Sequence, residues 1–401
     1  MAASNQRMNP FDVTPDTPGP FVAVSGGRGP YANTTEALSH FSFASLKGAK
    51  VLLKPNAGRA ASSESGVVTN PEVVAAAIDV FRKAGATVAV GESPIVGIKA
   101  QDSLQQSGIA AVANERGCRV LDFDARTPKE VYIPDGSAIN KLRVCADVFD
   151  YNLLVSLPVI KMHMHTGVTL SVKNMKGCLY HRSKVELHML PRPDNSYEKP
   201  LNVAIADMSS VLRPHFAIID GTIGMEGLGP SAGEPKRLDT IVCSADPFAA
   251  DAVACTLIGT NAAEIAHLRI GAERGYGIID LAYLTIHPPD WKKWHQPFAA
   301  APDTISIKFP NIEVLDNKSC SACQSTVLLF LKRYGKDIFD YFPDAGALQI
   351  AIGKGHSELP PQTLCIGNCT APHSENRLFV RGCPPVASAI WKCIQDKSRR
   401  R

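Results

Sequence analysis

The sequence contains no apolar run approaching the roughly 18–20 residues that a membrane helix needs. Its first residues, Met1-Ala-Ala-Ser-Asn-Gln-Arg7, lead into Pro- and Asp-bearing sequence without an apolar stretch, so no secretory signal peptide is expected. The expected location is the cytoplasm, with no membrane partner. Charge of one sign is equally scarce. Against 38 Asp+Glu stand 42 Lys+Arg, a formal +4 over 401 residues. That is too weak to predict nucleic acid as a partner. The one basic block, Lys397-Ser-Arg-Arg-Arg401, reads as a solvated tail. Internal repeats and low-complexity tracts are absent. No G-x-G-x-x-G opens a helix, so a dinucleotide cofactor is not expected.

What remains is an ordinary globular composition, 45% hydrophobic and 20% charged, in a chain long enough for one large domain and a small one. Residues 1–20, with four prolines, read as a loose leader. Thereafter strands and helices alternate. Strands are expected near 21–25, 51–54, 86–91, 119–122, 152–157, 215–220 and 240–244; helices near 71–85, 101–116, 201–212 and from Pro247. Thr69-Asn70-Pro71-Glu72 opens a helix with a capping side chain, a proline in the first turn and an acid just inside. Val74, Ile78 and Phe81, with Val73 and Ala77, follow at helical spacing. Near-continuous apolar strands alternating with helices predict an α/β fold, a layered, mostly parallel sheet domain over 21–285. Such sheets bind ligands beyond the carboxyl ends of their strands. Here those ends carry Lys54-Pro-Asn56, Gly91-Glu-Ser93, Lys161 and Asp220-Gly221. The stretch 286–303 reads as a linker, and 304–401 as a second, smaller cysteine-rich α/β domain.

Six of the 11 cysteines fall in that second domain. In a reducing compartment they need an explanation other than disulfides. Cys320-Ser-Ala-Cys323 opens an apolar helix. Cys369 closes Cys365-Ile-Gly-Asn-Cys369 after an apolar strand, and Cys383 precedes a proline. Thiolates at such turns suit soft metals, and Cys-Pro is a habit of iron–sulfur proteins. The pattern predicts a [4Fe–4S] cluster on Cys320, Cys323, Cys369 and Cys383, with Cys365 as an alternative to Cys369. A structural zinc on the same four is the competing metal reading, and a small core of ordinary buried cysteine is the plain one. Cys118, Cys145, Cys178, Cys243, Cys255 and Cys393 sit in apolar surroundings and read as core.

The densest polar stretch of the large domain runs from Lys161 to Gly177. Lys161, His163 and His165 alternate, so an extended chain places all three on one face. Thr166 follows, and a helical run then presents Lys173 and Asn174, with Lys176 a turn on. Cations, hydroxyls and an amide at a strand end predict a site for a small anionic substrate, with histidine available for proton transfer. The competing readings are a solvated basic loop and an H-x-H metal site completed by His188. The glycines of 221–230 read as a pocket floor or a plain loop, with Glu226 inside. Asp246 reads as the cap of the next helix, and Asp251, a turn later, faces either site or solvent.

At these residues the chain resembles a known family. Leu53-Lys-Pro-Asn56, Lys161-x-His163, Thr166-Gly-Val-Thr169, Lys173-Asn-Met-x-Gly177, Gly224-Met-Glu-Gly-x-Gly-Pro230, Ala245-Asp-Pro247 and Asp251-Ala-Val-Ala254 together resemble domain of unknown function 362, over about residues 50–280. Members are often fused to iron–sulfur modules, so the resemblance implies such a module here. The chain departs from the common version in having dispersed cysteines in place of compact ferredoxin runs. The combined expectation is an iron–sulfur oxidoreductase. Lys161, His163 and His165 would be catalytic, and Lys54, Asn56, Thr166, Lys173, Asn174 and Glu226 would bind the substrate. A redox partner protein is compatible with it. Two alternatives remain: an electron-transfer or sensor module docking a partner, and a cluster-dependent lyase or isomerase.

Overall fold

A computed structural model describes residues 17–191, 198–301, 309–342 and 346–398; most of the expected leader lies outside them. The chain forms two compact units that divide at Ala301/Pro302. The first begins with β1 (Phe21–Gly26), α1 (Pro30–Ser39), β2 (Lys50–Pro55), α2 (Pro71–Lys83) and β3 (Thr87–Glu92). Next come α3 (Ala100–Gln106), α4 (Ile109–Glu115), β4 (Arg119–Asp122) and a small hairpin of β5 (Pro128–Tyr132) and β6 (Lys141–Cys145). Then follow β7 (Leu153–Leu157), β8 (Val159–His163), β9 (Gly167–Thr169), α5 (Ser171–Asn174), α6 (Ser183–Glu186) and α7 (Pro200–Leu212). The unit closes with β10 (Phe216–Glu226), β11 (Glu234–Ser244), α8 (Pro247–Leu257), α9 (Ala266–Glu273) and β12 (Thr285–His287).

One sheet runs in the order β12-β1-β11-β10-β7-β2-β3-β4, with β8 and β9 attached beside β10. From β10 through β4 neighbouring strands are parallel; β11 is antiparallel to both β10 and β1. The fold is thus α/β with a mostly parallel sheet, as the alternation of elements predicts. The strand period of two divides the core into two layers. Val51 and Leu53 of β2 join Phe81, Ile78 and Leu38 on one face, while Leu52 joins Ile205, Met208 and Val253 on the other. Helices cover both faces, which is why the central strands are apolar throughout.

The capping signal before α2 works as read: the Asn70 side chain accepts from Glu72 N at 2.9 Å. The structure departs from the expectations in three places. The helix expected over 101–116 is two, broken where Gly108 takes φ 79°. The glycine-rich stretch after Asp220 is no loop as far as Glu226. It continues β10 and pairs with β11, with a register shift between Gly221 and Ile223. Residues expected in a linker are built into the first unit: β12 pairs with β1, and Trp291 and Phe298 are buried in its core. Prolines break regular secondary structure here, but burying two large aromatic side chains ties the segment to the core.

The second unit holds β13 (Ile312–Asp316), α10 (Ser321–Tyr334), β14 (Leu348–Ile352), β15 (Leu364–Ile366), β16 (Phe379–Val380) and α11 (Ala387–Ser398). Its four strands are parallel in sequence order. Tyr334 of α10 stacks on Trp391 of α11 with centroids 4.6 Å apart.

Phe81→Ala would open a cavity in the first unit's core, since Phe81 is fully buried, and should cost about 3–5 kcal/mol in denaturant unfolding. Asn70→Ala removes a cap alone and should cost about 1 kcal/mol. Equal losses for the two would contradict this account of what stabilises α2.

Candidate functional site

From β2 the chain moves outward through β3 and β4, then returns to place β7 on the other flank of β2. The carboxyl ends of β2 and β7 therefore bound a topological switch point, where open parallel sheets form a ligand crevice. Lys54 ends β2, opposite Ser156 of β7. Parity places Lys54 on the same face as Leu52, where the pattern would call for an apolar residue, yet Lys54 is 1% exposed.

A polar network makes that burial possible. Lys54 Nζ donates to Glu92 Oε2 at 2.9 Å, to the Pro55 carbonyl at 2.8 Å and to Asn174 Oδ1 at 3.0 Å. Glu92 ends β3 and is also 1% exposed; its carboxylate accepts from Ala57 N and Ser93 N, each at 2.8 Å. Asn174 Nδ2 donates to Lys54 O and Ser156 Oγ. Asn56 Nδ2 donates to Asn174 Oδ1 at 3.0 Å. Gly177 closes over the pair, and a Cβ there would fall onto Glu92 Oε1 and Lys54 Nζ. Lys184, from the short α6, bonds Ser93 Oγ and both oxygens of Asp124.

Around this floor stand cations of a different kind. Lys161 Nζ donates to Asn56 Oδ1 and Val67 O, both at 2.8 Å. Lys173 Nζ donates to Thr169 Oγ1 at 2.9 Å, and Lys176 Nζ lies 2.7 Å from His188 Nε2. None of these partners is a carboxylate. Burial, reinforced by Arg59 and Lys54, lowers Lys161 from 10.5 to about 7. Burial and Lys184 lower Lys176 to about 7. Lys173 is also pushed well down, by burial and then by Lys176 and Lys161. His163, 3% exposed, is held neutral by burial and by Lys173 beside it. Its Nδ1 accepts from His165 N at 3.1 Å, so the ring proton sits on Nε2.

The sequence-predicted Lys54, Asn56, Lys161 and Asn174 thus converge through hydrogen bonds, Lys173 lies within electrostatic reach of Lys161, and His163 within that of Lys173 and Lys176. His165 and Thr166 are buried in the turn between β8 and β9. Glu226 is placed otherwise: its Oε2 accepts from Lys236 Nζ at 2.9 Å and Ala299 N at 2.8 Å, which ties down the chain at 299. Asp246 caps α8, accepting from Phe248 N and Ala249 N. Asp251 is fully buried and accepts from Ser171 N, Ser171 Oγ and Val172 N, so it anchors the start of α5, which carries Lys173 and Asn174. Burial raises it to about 7. Sequence reasoning missed Lys184 and His267. His267 of α9 is fully buried beside Lys173, with no hydrogen-bond partner at either ring nitrogen. A lone helical histidine carries no signal of this.

In the second unit, Cys320 is the N-cap residue of α10 and hydrogen-bonds with Cys323. That bond and the Ala322 and Cys323 N–H groups lower Cys320 to about 6, while the Cys323 thiol is pushed up. Cys369 and Cys383 both act electrostatically on Cys323, and Cys369 also feels Cys383 and Cys320. Cys365 is buried in β15, with Sγ directed at the Thr363 and His373 carbonyls at 3.9 and 3.7 Å. A tetrahedral zinc needs every sulfur about 2.3 Å from one point. Among the described residues no group of three or more His, Cys, Asp or Glu is arranged to hold a metal ion, histidines included. No helix among them is long and apolar enough to cross a membrane.

An α/β protein with a cluster of lysines at its switch point is the class these features define. The family model "Domain of unknown function (DUF362)" matches residues 51–256, more than half of the chain, and the protein belongs to this family. The matched span includes the lysine crevice apart from His267 and ends before the second unit. The "Thylakoid-associated protein sll1697" of Synechocystis is 29% identical over 219 residues, 54% of this chain. The chain covers 65% of that curated relative's length. The lactate racemase apoprotein from Thermoanaerobacterium thermosaccharolyticum is a structural neighbour at 15% identity and TM-score 0.41, over 85% of this chain and 70% of that one.

Glu92→Gln would leave Lys54 buried without a counter-charge and should cost about 3–5 kcal/mol, while the double variant Lys54→Met/Glu92→Leu should cost clearly less. A double variant as unstable as the single one would refute the pairing. The lowered Lys161 has a pH signature in the ligand-free protein. Its folded value, about 7, lies below the ordinary 10.5, so across that interval the unfolded state binds the extra proton. Its contribution to stability therefore rises with pH from 7 to 10.5, and Lys161→Met should flatten that rise in thermal melts.

Proposed function

We propose that this protein is an iron–sulfur oxidoreductase: the first unit binds a small anionic substrate in the lysine crevice, and the second holds a [4Fe–4S] cluster. One observation carries the substrate half. Lys161 and Lys173 are buried and Lys176 half-buried, and no carboxylate among the described residues is bonded to any of the three. Burying a charge without its counter-charge is costly, and an anion in the crevice offsets that cost. Lys173 and Lys176 bind the anionic group, and Asn56 orients it. The Nε2–H of His163 donates to a substrate oxygen. Lys161, titrating near neutrality, gives or takes a proton at Nζ. His165 and Thr166 set the turn that aims His163. Lys54, Glu92 and Asn174 hold the floor.

The cysteines support the cofactor half. Four thiols at turns influence one another, and one is poised as a thiolate by backbone N–H groups, which is donor chemistry suited to iron. Cys320, Cys323, Cys369 and Cys383 would hold the cluster, and Cys365 would not. When bound, a [4Fe–4S] cluster supplies one-electron transfer. A cytoplasmic location and a redox partner protein accompany this reading. A second reading, a lyase or isomerase acting on the same anion, is favoured by Lys161 and Lys176 both titrating near 7.

Anaerobic purification with iron and acid-labile sulfide analysis tests the proposal. About four of each per chain are expected, with loss in Cys320→Ser and Cys383→Ser and retention in Cys365→Ser. A colourless protein after anaerobic reconstitution would sink the oxidoreductase reading. A cluster with only three protein ligands, shown by retention when one of Cys320, Cys323, Cys369 and Cys383 is replaced by serine, would move the assignment to the lyase.

A further inference from the structure

We propose that the crevice is built for an oxyanion carrying at least two negative charges, a phosphoryl compound or a dicarboxylate, and that His267 is one of its binding groups. The inference rests on the anion-binding reading above and sharpens it. The first argument is charge. Of five lysines in the cluster, Lys54 and Lys184 bond the carboxylates of Glu92 and Asp124. The other three bond an amide oxygen, a carbonyl, a hydroxyl and an imidazole. Their charged surroundings are cationic as well: Arg59 and Lys54 act on Lys161, Lys176 and Lys161 act on Lys173, and Lys184 acts on Lys176. Glu92 is the one carboxylate that acts on Lys161, and it is already bonded to Lys54. Once protonated beside a ligand, these three lysines outnumber a single negative charge, whereas two or three charges match them.

The second argument is hydrogen-bonding capacity. His163 offers its Nε2 proton, because Nδ1 already accepts from His165 N. His267 is fully buried, and both its ring nitrogens lack a partner. A buried imidazole with two unmatched nitrogens demands an explanation, and Lys173 of the cluster is the charged group that acts on it. Donors from β8, α5 and α9 exceed what the two oxygens of one carboxylate can use. They suit a group with three or more oxygens.

Isothermal calorimetry on the full-length protein at pH 7 and fixed ionic strength, with pyrophosphate, succinate and acetate, tests this. Pyrophosphate or succinate should bind on the order of 100-fold more tightly than acetate, the equivalent of one further charge-assisted bond. Whichever of the two binds tells the phosphoryl source from the dicarboxylate. Titrations in two buffers of different ionisation heat should show net proton uptake, because the lowered lysines regain their protons beside an anion. His267→Phe and Lys173→Gln should each weaken the preferred ligand about tenfold, while Lys173→Arg retains it. Acetate binding as tightly as either dianion would overturn the inference and leave the anion crevice intact. No binding of any of the three, by protein with a native circular dichroism spectrum, would overturn both. The three-ligand comparison on the unmodified chain decides between these outcomes without any variant having to fold.

Discussion

The buried Lys54–Glu92 ion pair is the constraint on which the rest of the first unit's chemistry depends. Two charges taken out of water attract strongly only when their geometry is good and their remaining hydrogen-bonding capacity is filled. That requirement reaches into several elements at once. It fixes the ends of β2 and β3, and it recruits Ala57 N and Ser93 N to the carboxylate. It draws in Asn174 from α5 and forbids any side chain at 177. Because Asp251 ties down the first residues of α5, Lys173 and Asn174 are held from both ends of that turn. The crevice is therefore set by its floor before any ligand enters.

The choice of neutral partners has a consequence of its own. Asn56 and Asn174 each accept from a lysine through an amide oxygen. An aspartate at either position would form a stronger bond and cancel the lysine's charge. Amides, a hydroxyl and an imidazole hold the ammonium groups in place and leave the positive excess available. The chain thus separates two jobs that a salt bridge combines, positioning a cation and neutralising it. It neutralises only Lys54 and Lys184, the two that bond carboxylates, and leaves the other three charged toward the crevice or poised to lose a proton. A purely structural network would gain nothing from this arrangement, since the lowered lysines cost stability; the proposed anion site would.

Much of this was legible in the sequence. Caps, periodicity and apolar runs located the central strands and α2, because their burial is set by local pattern. The Lys161–Gly177 stretch declared itself by its density of polar residues at a strand end. Long-range pairings were less visible. Glu92 could be placed at a strand end, yet nothing local says that it meets a lysine 38 residues earlier. Nothing in the local sequence marks Lys184, whose partner Asp124 lies 60 residues away. Glu226 lay in a segment whose glycines suggested a loop, whereas alternation within β10 turns its carboxylate to Lys236 and Ala299. The aromatic residues after 290 read as linker because proline dominates local propensity there, while burial of Trp291 and Phe298 is a tertiary effect.

The cysteines show the same limit. Sequence alone leaves Cys365 and Cys369 as competing positions, four residues apart on either side of a turn. Their surroundings differ in kind. A thiol aimed at carbonyl oxygens, as Cys365 is, can only donate, and that environment favours the protonated form; burial pushes it the same way. A sulfur at a helix start, as Cys320 is, lies near the N–H groups of the first turn, and those favour the thiolate. A metal ligand must be a thiolate. Cys369 stands in the electrostatic field of Cys320 and Cys383, where a cation placed among the sulfurs would lower all of them together. Cys365 stands outside that set, where no shared cation would compensate the burial of its charge. The distinction is one of protonation energetics rather than spacing, which is why it is invisible in the spacing of the cysteines alone.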